Sequence, residues 1–391
     1  GLTGRYYNGP VPQGEPVQVR TDRTVNFNWI FALPHPALDA NCFSVVWTGS
    51  VVMPRTMDGC IGLSTQDSMR LYVDDKLLID GWGKDKSADQ ALDFHFEAGR
   101  TYKIRIEFVN DRRGARVIFG YSAGRENFPA AVEAARKADV AILCMGDNEE
   151  TSGENFDRTD LNLPGRQLEL VQAVYATGTP VVLVLQSGRP VTANWENDHL
   201  PAILEAWFPG EQGGTAIAKT LFGNAAPGGR LPITFPRSVG QIPCHYSRRP
   251  GGGKRYVEMD WLPLYPFGYG LTYTTFAYSD MTLSRSVIGP QDTVTVSVTV
   301  TNTGKYTGDA VPQLYVRDMF SSVVKPERQL AAFRRLTLAP GESRRVELTI
   351  GPKQLRTLGP DYVWRVEPGK FELQLGDNAE NILLRADLTV E

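Results

Sequence analysis

Two uninterrupted apolar runs constrain this chain more than any other feature. They are Val140–Met145 (VAILCM) and Val181–Gln186 (VVLVLQ), and each stands among segments with helical spacing. A strand without a polar face is covered on both sides, which is the condition of a parallel sheet flanked by helices. The helical segments are Phe128–Ala138 (FPAAVEAARKA), Pro164–Ala176 (PGRQLELVQAVYA) and Gly213–Leu221 (GGTAIAKTL), and Ile203–Trp207 (ILEAW) reads as a third strand. This alternation predicts an α/β layered sandwich with a mostly parallel sheet over residues 124–245.

On both sides of that region the apolar period drops to two. Before it, Phe43–Trp47, Ser68–Val73, Tyr102–Phe108 and Arg116–Tyr121 alternate between turns such as Asp58-Gly59 and Ala98–Arg100. Tyr102, Ile104, Ile106 and Phe108 point one face into a core. With no helical pattern in residues 1–123, a β-sandwich or barrel follows. After it, Thr293–Thr301 (TVTVSVTVT), Val311–Val316, Arg344–Ile350 and Lys370–Leu375 alternate again, with turns at Thr303-Gly304 and Leu338–Glu342. About seven short strands over residues 280–391 predict an immunoglobulin-like or fibronectin-like sandwich. Residues 246–279, rich in Gly, Pro and Tyr, are expected to wrap over their neighbours; Gly251-Gly252-Gly253 in it reads as a flexible stretch.

A length of 391 residues allows two to four domains at about 100–200 residues each. The net charge of −3 lacks the basic footprint of a nucleic-acid binder. No apolar run approaches the roughly 20 residues of a membrane helix. The opening GLTGRYYNG shows no leader pattern and reads as a point within something longer. Cys42 and Cys60 either pair or stay reduced with Cys144 and Cys244; no Cys or His spacing suits a metal, and no cofactor is expected.

Directly after the run Val140–Met145 comes Asp147–Asp160 (DNEETSGENFDRTD), which holds Asp147, Glu149, Glu150, Glu154, Asp157 and Asp160. Loops at the carboxyl ends of parallel strands are where ligands bind in α/β sheets. Composition alone leaves two readings, a catalytic loop and a solvated acidic surface.

Leu163–Gln167 (LPGRQ), Gln186–Pro190 (QSGRP), Ala206–Gly214 (AWFPGEQGG), Leu221–Leu231 (LFGNAAPGGRL) and Tyr265–Thr275 (YPFGYGLTYTT) occur in that order. Together they resemble the C-terminal part of glycoside hydrolase family 3 over about residues 128–390, including a fibronectin type III-like tail with Pro326–Phe333 (PERQLAAF). Residues 1–123, with Phe43, Trp47, Gly49 and Arg70–Trp82 (RLYVDDKLLIDGW), resemble a PA14 domain, which some family members carry inserted in the α/β domain. The resemblance implies a retaining, exo-acting β-glycosidase of the β-glucosidase or β-xylosidase class. It also implies a TIM-type barrel that carries the nucleophile and that these residues do not include. The partners implied are an oligosaccharide or aryl β-glycoside and that barrel, with self-association open and a secreted or periplasmic location. The competing reading is a non-catalytic carbohydrate-binding or scaffold module.

Within Ser152–Arg158 (SGENFDR) the resemblance implies Glu154 as the general acid/base, with Glu150, and then Glu149, the alternatives if the register differs. Asp157 and Arg158 are expected to pair and hold the loop beside the substrate; Asp160–Leu163 reads as the cap of the next helix. Trp82 is either a sugar-stacking ring or a core residue. Gln186–Gly188 lacks a GxSxG frame and reads as a strand-end turn, and Gly210–Gly214 as a packing feature. Asp74-Asp75 is too little for a calcium site, and Tyr265–Tyr273 is expected to pack between domains.

Overall fold

The computed structural model describes the chain apart from residues 30–31, 66, 84–87, 112–114, 124–127, 150 and 252–254. It divides into two compact units, Gly1–Asn127 and Phe128–Glu391.

The first unit is built of strands, with no helix among its described residues. In chain order these are β1 (Leu2–Asn8), β2 (Gln18–Asp22), β3 (Asn26–Asn28), β4 (Phe43–Val52), β5 (Met57–Thr65), β6 (Ser68–Val73), β7 (Lys76–Asp80), β8 (Ala88–Phe96), β9 (Thr101–Asn110) and β10 (Arg116–Ala123). They form a six-stranded sheet of order β2-β1-β4-β9-β6-β7 and a four-stranded sheet of order β3-β10-β5-β8. The expected alternation on β9 is present: Tyr102, Ile104, Ile106 and Phe108 are all buried, in one cluster with Phe43, Val45 and Trp47 of β4. One carboxylate lies inside this apolar layer. Asp22 accepts hydrogen bonds from the Tyr6 hydroxyl (2.5 Å), Trp47 Nε1 (2.7 Å) and Arg20 Nε (2.7 Å), so its charge is met by an arginine and two neutral donors.

The second unit begins with α1 (Pro129–Arg136), β11 (Ala141–Gly146), α2 (Gln167–Tyr175), β12 (Val181–Gln186), α3 (Asn194–His199), β13 (Ala202–Glu205) and α4 (Gly213–Leu221). The strands form a parallel sheet of order β11-β12-β13, with Leu143 opposite Leu183 and Leu183 opposite Ile203. Ala141, Leu143, Met145, Val181, Leu183, Leu185 and Ile203 point to one face and join a core with Val171 and Val174 of α2. The other face is thinly covered at β11, where Ile142 is 45% exposed and Cys144 is exposed. Among the described residues β11 pairs with β12 alone, so one edge of a parallel sheet is bare. The third strand ends at Glu205, two residues before its expected end, and α3 was not anticipated.

Leu264 and Tyr265 pack on the core. Phe235 N donates to Tyr265 O (2.8 Å), and Tyr265 stacks on Tyr269 at 5.2 Å. Gln313 Nε2 donates to Gly268 O (3.0 Å), tying this tail to the strands that follow. Gly251 is exposed at a turn; Gly252, Gly253 and Lys254 lie outside the described residues.

The rest of the unit is β14 (Phe276–Leu283), β15 (Val287–Ile288), β16 (Val294–Asn302), β17 (Gly308–Ala310), β18 (Gln313–Asp318), β19 (Gln329–Phe333), β20 (Leu336–Leu338), β21 (Ser343–Ile350), α5 (Pro352–Leu355), β22 (Thr357–Leu358), β23 (Trp364–Arg365), β24 (Gly369–Gly376) and β25 (Ile382–Val390). A β14-β16-β21 sheet faces a β15-β25-β24-β18-β19 sheet across a shared core. On β16 every second residue, Val294, Val296, Val298 and Val300, is wholly buried, as strict period-two patterning requires.

Candidate active site

The site grows from the carboxyl edge of the parallel sheet. Gly146 ends β11 at φ +139°, and a Cβ there would stand 2.0 Å from Gln186 O, so only glycine fits. Gln167, at the start of α2, closes on the same residue: its Oε1 accepts from Gly146 N (2.7 Å) and its Nε2 donates to Gly146 O (2.8 Å). The acidic loop thus leaves the sheet from a fixed point. Thr151 N and Ser152 N both donate to Asn148 O. Phe156 N then donates to Gly153 O (3.2 Å), closing a turn with Glu154 and Asn155 at its centre. Asn155 takes φ +66°, a conformation asparagine tolerates better than most residues. This turn carries Glu154 at its apex. The side chain is exposed and makes no hydrogen bond or ion pair among the described residues.

Below the turn is a charged cluster. Asp147, 3% exposed at its side chain, faces Arg158 Nη1 at 3.3 Å and Arg189 Nε at 3.7 Å, and accepts from the Thr151 hydroxyl at 3.0 Å. Arg158 also pairs with Asp160 at 3.2 Å and donates to Asn162 O at 2.8 Å. The pair expected between Asp157 and Arg158 is not formed. In extended backbone adjacent side chains point to opposite sides, so Asp157 is exposed while Arg158 turns inward. Asp160 does not cap a helix either: it accepts from Asn162 N (2.9 Å), and α2 starts only at Gln167. Glu150 lies outside the described residues.

At the end of β13, Glu205 accepts from Trp207 N (2.9 Å) and from the Ser187 hydroxyl (3.5 Å), while its Oε2 is buried without a hydrogen bond. Burial pushes this carboxyl up to about 7; the Asp147 charge adds to the rise, and the two hydrogen bonds moderate it. Between the ordinary 4.5 and 7 the folded chain holds a proton that the unfolded chain has released. The native state therefore loses stability as pH rises through this window, by at most about 3 kcal/mol. Burial raises the Glu196 carboxyl too, so both act in the same direction. Glu205→Gln should leave thermal stability unchanged near pH 4.5 and exceed the parent chain by a widening margin up to pH 8. A margin that does not change with pH, measured by circular dichroism melting, contradicts this account.

Three participants were missed from sequence. Arg189 directly follows Gln186–Gly188, which read as a turn, and Glu205 lay in a strand-like run, where a lone charge among apolar residues was the available signal. The third is Phe208, 57% exposed, whose ring would meet a Cβ on Gly188 at 2.8 Å, beside Ser152 of the loop. In the other unit, the Arg70 guanidinium lies over the half-buried Trp82 ring, 4.7 Å from its centroid, and Trp82 N donates to Asp80. Asp74 accepts from Lys103 N and pairs with Arg100, and the four cysteines are free. No group of three metal-ligating side chains occurs among the described residues, and no helix there is long and apolar enough to cross a membrane. A cavity of about 370 Å³ in the second unit is lined by Tyr246, Arg248, Tyr256, Trp261 and Glu380, among others, and by no residue of the acidic loop.

The profile of the Glycosyl hydrolase family 3 C-terminal domain matches residues 32–273, and that of the Fibronectin type III-like domain matches residues 310–379. The chain belongs to glycosyl hydrolase family 3. It is 45% identical over 302 residues to a β-xylosidase of Formosa agariphila, covering 74% of this chain and 42% of that protein. It is 34% identical to a β-glucosidase of Rhizobium radiobacter, covering 100% of this chain and 51% of that one. Among solved structures, the β-glucosidase of Kluyveromyces marxianus in complex with glucose aligns with a TM-score of 0.72 at 28% identity, over 100% of this chain and 50% of the other. The chain thus spans about half the length, or less, of these relatives.

Proposed function

We propose that this chain supplies the general acid/base of a retaining, exo-acting β-glycosidase that removes terminal non-reducing β-D-glycosyl residues. Glu154 protonates the departing glycosidic oxygen in the first step and takes a proton from water in the second. The nucleophilic carboxylate, about 5–5.5 Å from it in the assembled cleft, comes from a TIM-type barrel beyond these 391 residues. Asp157, exposed just past that turn, and Trp82 are proposed to contact sugar; Glu150 is the alternative acid. Arg158 shapes the loop, with its guanidinium directed at Asp147 and Asp160. Residues 1–123 are read as a PA14 domain, 124–245 as part of an α/β sandwich, 246–279 as its wrapping linker and 280–391 as the fibronectin type III-like domain. A secreted or periplasmic location accords with a relative named periplasmic β-glucosidase in Salmonella typhimurium.

One observation carries this reading: the Glu154 carboxyl has no partner among the described residues and stands at the apex of a turn whose backbone is held from several sides, while the buried Asp147 faces two guanidinium groups. A merely solvated acidic loop has no need of such bracing. The bare β11 edge further supports completion of the sheet by additional polypeptide. The test is hydrolysis of 4-nitrophenyl β-D-glucoside and β-D-xyloside by this chain alone and by the chain combined with a barrel segment from the same enzyme. Turnover is expected only in combination; turnover by the chain alone contradicts the proposed division of labour.

A further inference from the structure

We propose that Arg189 is the positioning residue for Glu154: from the turn after β12 its guanidinium gathers the main-chain carbonyls on both sides of the Glu154 turn. This rests on the acid/base reading of Glu154. Arg189 Nη1 donates to Phe156 O (3.4 Å), and Nη2 approaches Thr151 O (3.4 Å), the Ser152 hydroxyl (3.5 Å) and Phe156 O (3.5 Å). Thr151 precedes Glu154 by three residues and Phe156 follows it by two, so one planar cation spans the segment that carries the carboxyl. A guanidinium can do this because its five donors are fixed in a plane; a lysine ammonium is a single point of charge.

The arginine is itself supported. Its Nε lies 3.7 Å from the buried Asp147, which also holds Arg158. The Ser187 hydroxyl donates to Arg189 O (2.8 Å), fixing the turn from which the side chain springs. Gly188 lets that turn approach the loop closely, since a Cβ there would be 3.1 Å from the Ser152 hydroxyl. The string QSGRP is therefore a brace built on one strand for a loop that leaves its neighbour. The contacts are at the long end for hydrogen bonds, and such contacts commonly tighten once substrate is bound.

A positioning role predicts a particular kinetic pattern. Misplacing a general acid hurts substrates that need protonation of their leaving group and spares those that do not. In the active enzyme that contains this chain, Arg189→Ala should lower kcat/KM for an alkyl or 4-methoxyphenyl β-glycoside by about 10²-fold, while 2,4-dinitrophenyl β-glycoside should change by less than about 5-fold. Arg189→Lys keeps the charge opposite Asp147 but reaches one carbonyl at most, so it should fall between, with an unchanged melting temperature. The pH–rate profile of both variants should show a displaced basic limb, which reports the acid in free enzyme.

Equal losses on both substrates in Arg189→Lys, or no loss in either variant, would overturn the proposal. Glu154→Gln assayed beside them separates the two ideas. If it shows the leaving-group dependence and Arg189→Lys does not, the acid assignment stands and the brace falls. If Glu154→Gln itself shows none, the acid assignment falls and the brace falls with it.

Discussion

Replacing Glu154 by alanine should reduce kcat/KM of the assembled enzyme on an alkyl β-glucoside by about 10²–10⁴-fold, the range removed when a general acid is lost. The loss should shrink steeply as the leaving group becomes a better one, because a 2,4-dinitrophenolate departs without a proton. The second half-reaction behaves differently. It breaks down the same glycosyl-enzyme whatever the aglycone and needs Glu154 to activate water, so kcat should be low and nearly constant among activated aryl glycosides, for which this step is limiting. With the intermediate accumulating, KM should fall together with kcat for activated substrates. A structural defect lowers rates without regard to the aglycone. The exposed position of Glu154, without internal partners, means its removal should leave the melting temperature within about 1 °C of the parent.

The second large effect concerns Asp147. Its side chain is nearly inaccessible and faces two guanidinium groups as well as the Thr151 hydroxyl. Truncation to alanine leaves two partly buried arginines facing each other without the intervening negative charge. Breaking a buried ion pair from one side costs about 3–5 kcal/mol. In a unit of this size each kcal/mol corresponds to about 2–4 °C, so Asp147→Ala should melt roughly 6–20 °C lower, read by far-ultraviolet circular dichroism. Asp147→Asn keeps an acceptor for Thr151 and should lose less. A melting point equal to the parent's would mean that the cluster is solvated and the loop unbraced.

Much of the architecture was legible because its signals are local. The alternation TVTVSVTVT becomes β16 with each valine inward, and the run VVLVLQ becomes the central strand of the parallel sheet. Helix α3 escaped notice because its six residues, NWENDH, are too short to show a period. Asp22 escaped because nothing in QVRTD announces that a tyrosine and a tryptophan will converge on it.

The site divides along the same line. Its position after β11 follows from the strand. Its bracing is long-range. Arg189 reaches carbonyls 33 and 38 positions earlier in the chain, contacts that no local reading of QSGRP reveals. The expectation that Asp157 would hold Arg158 relied on sequence proximity, and the fold gave that arginine to Asp147 and Asp160. Proximity along an irregular segment says little about which side chains face each other.

The shortest route to the central claim is the product formed when Glu154→Ala, in the assembled enzyme, hydrolyses 2,4-dinitrophenyl β-D-glucoside in the presence of azide. With the carboxylate gone, a small anion can enter the space it occupied and capture the glycosyl-enzyme without any base. The account predicts rate recovery with azide concentration and a β-configured glucosyl azide, identified by its nuclear magnetic resonance coupling. Absence of both rescue and azide product, with the parent rate retained, would contradict it.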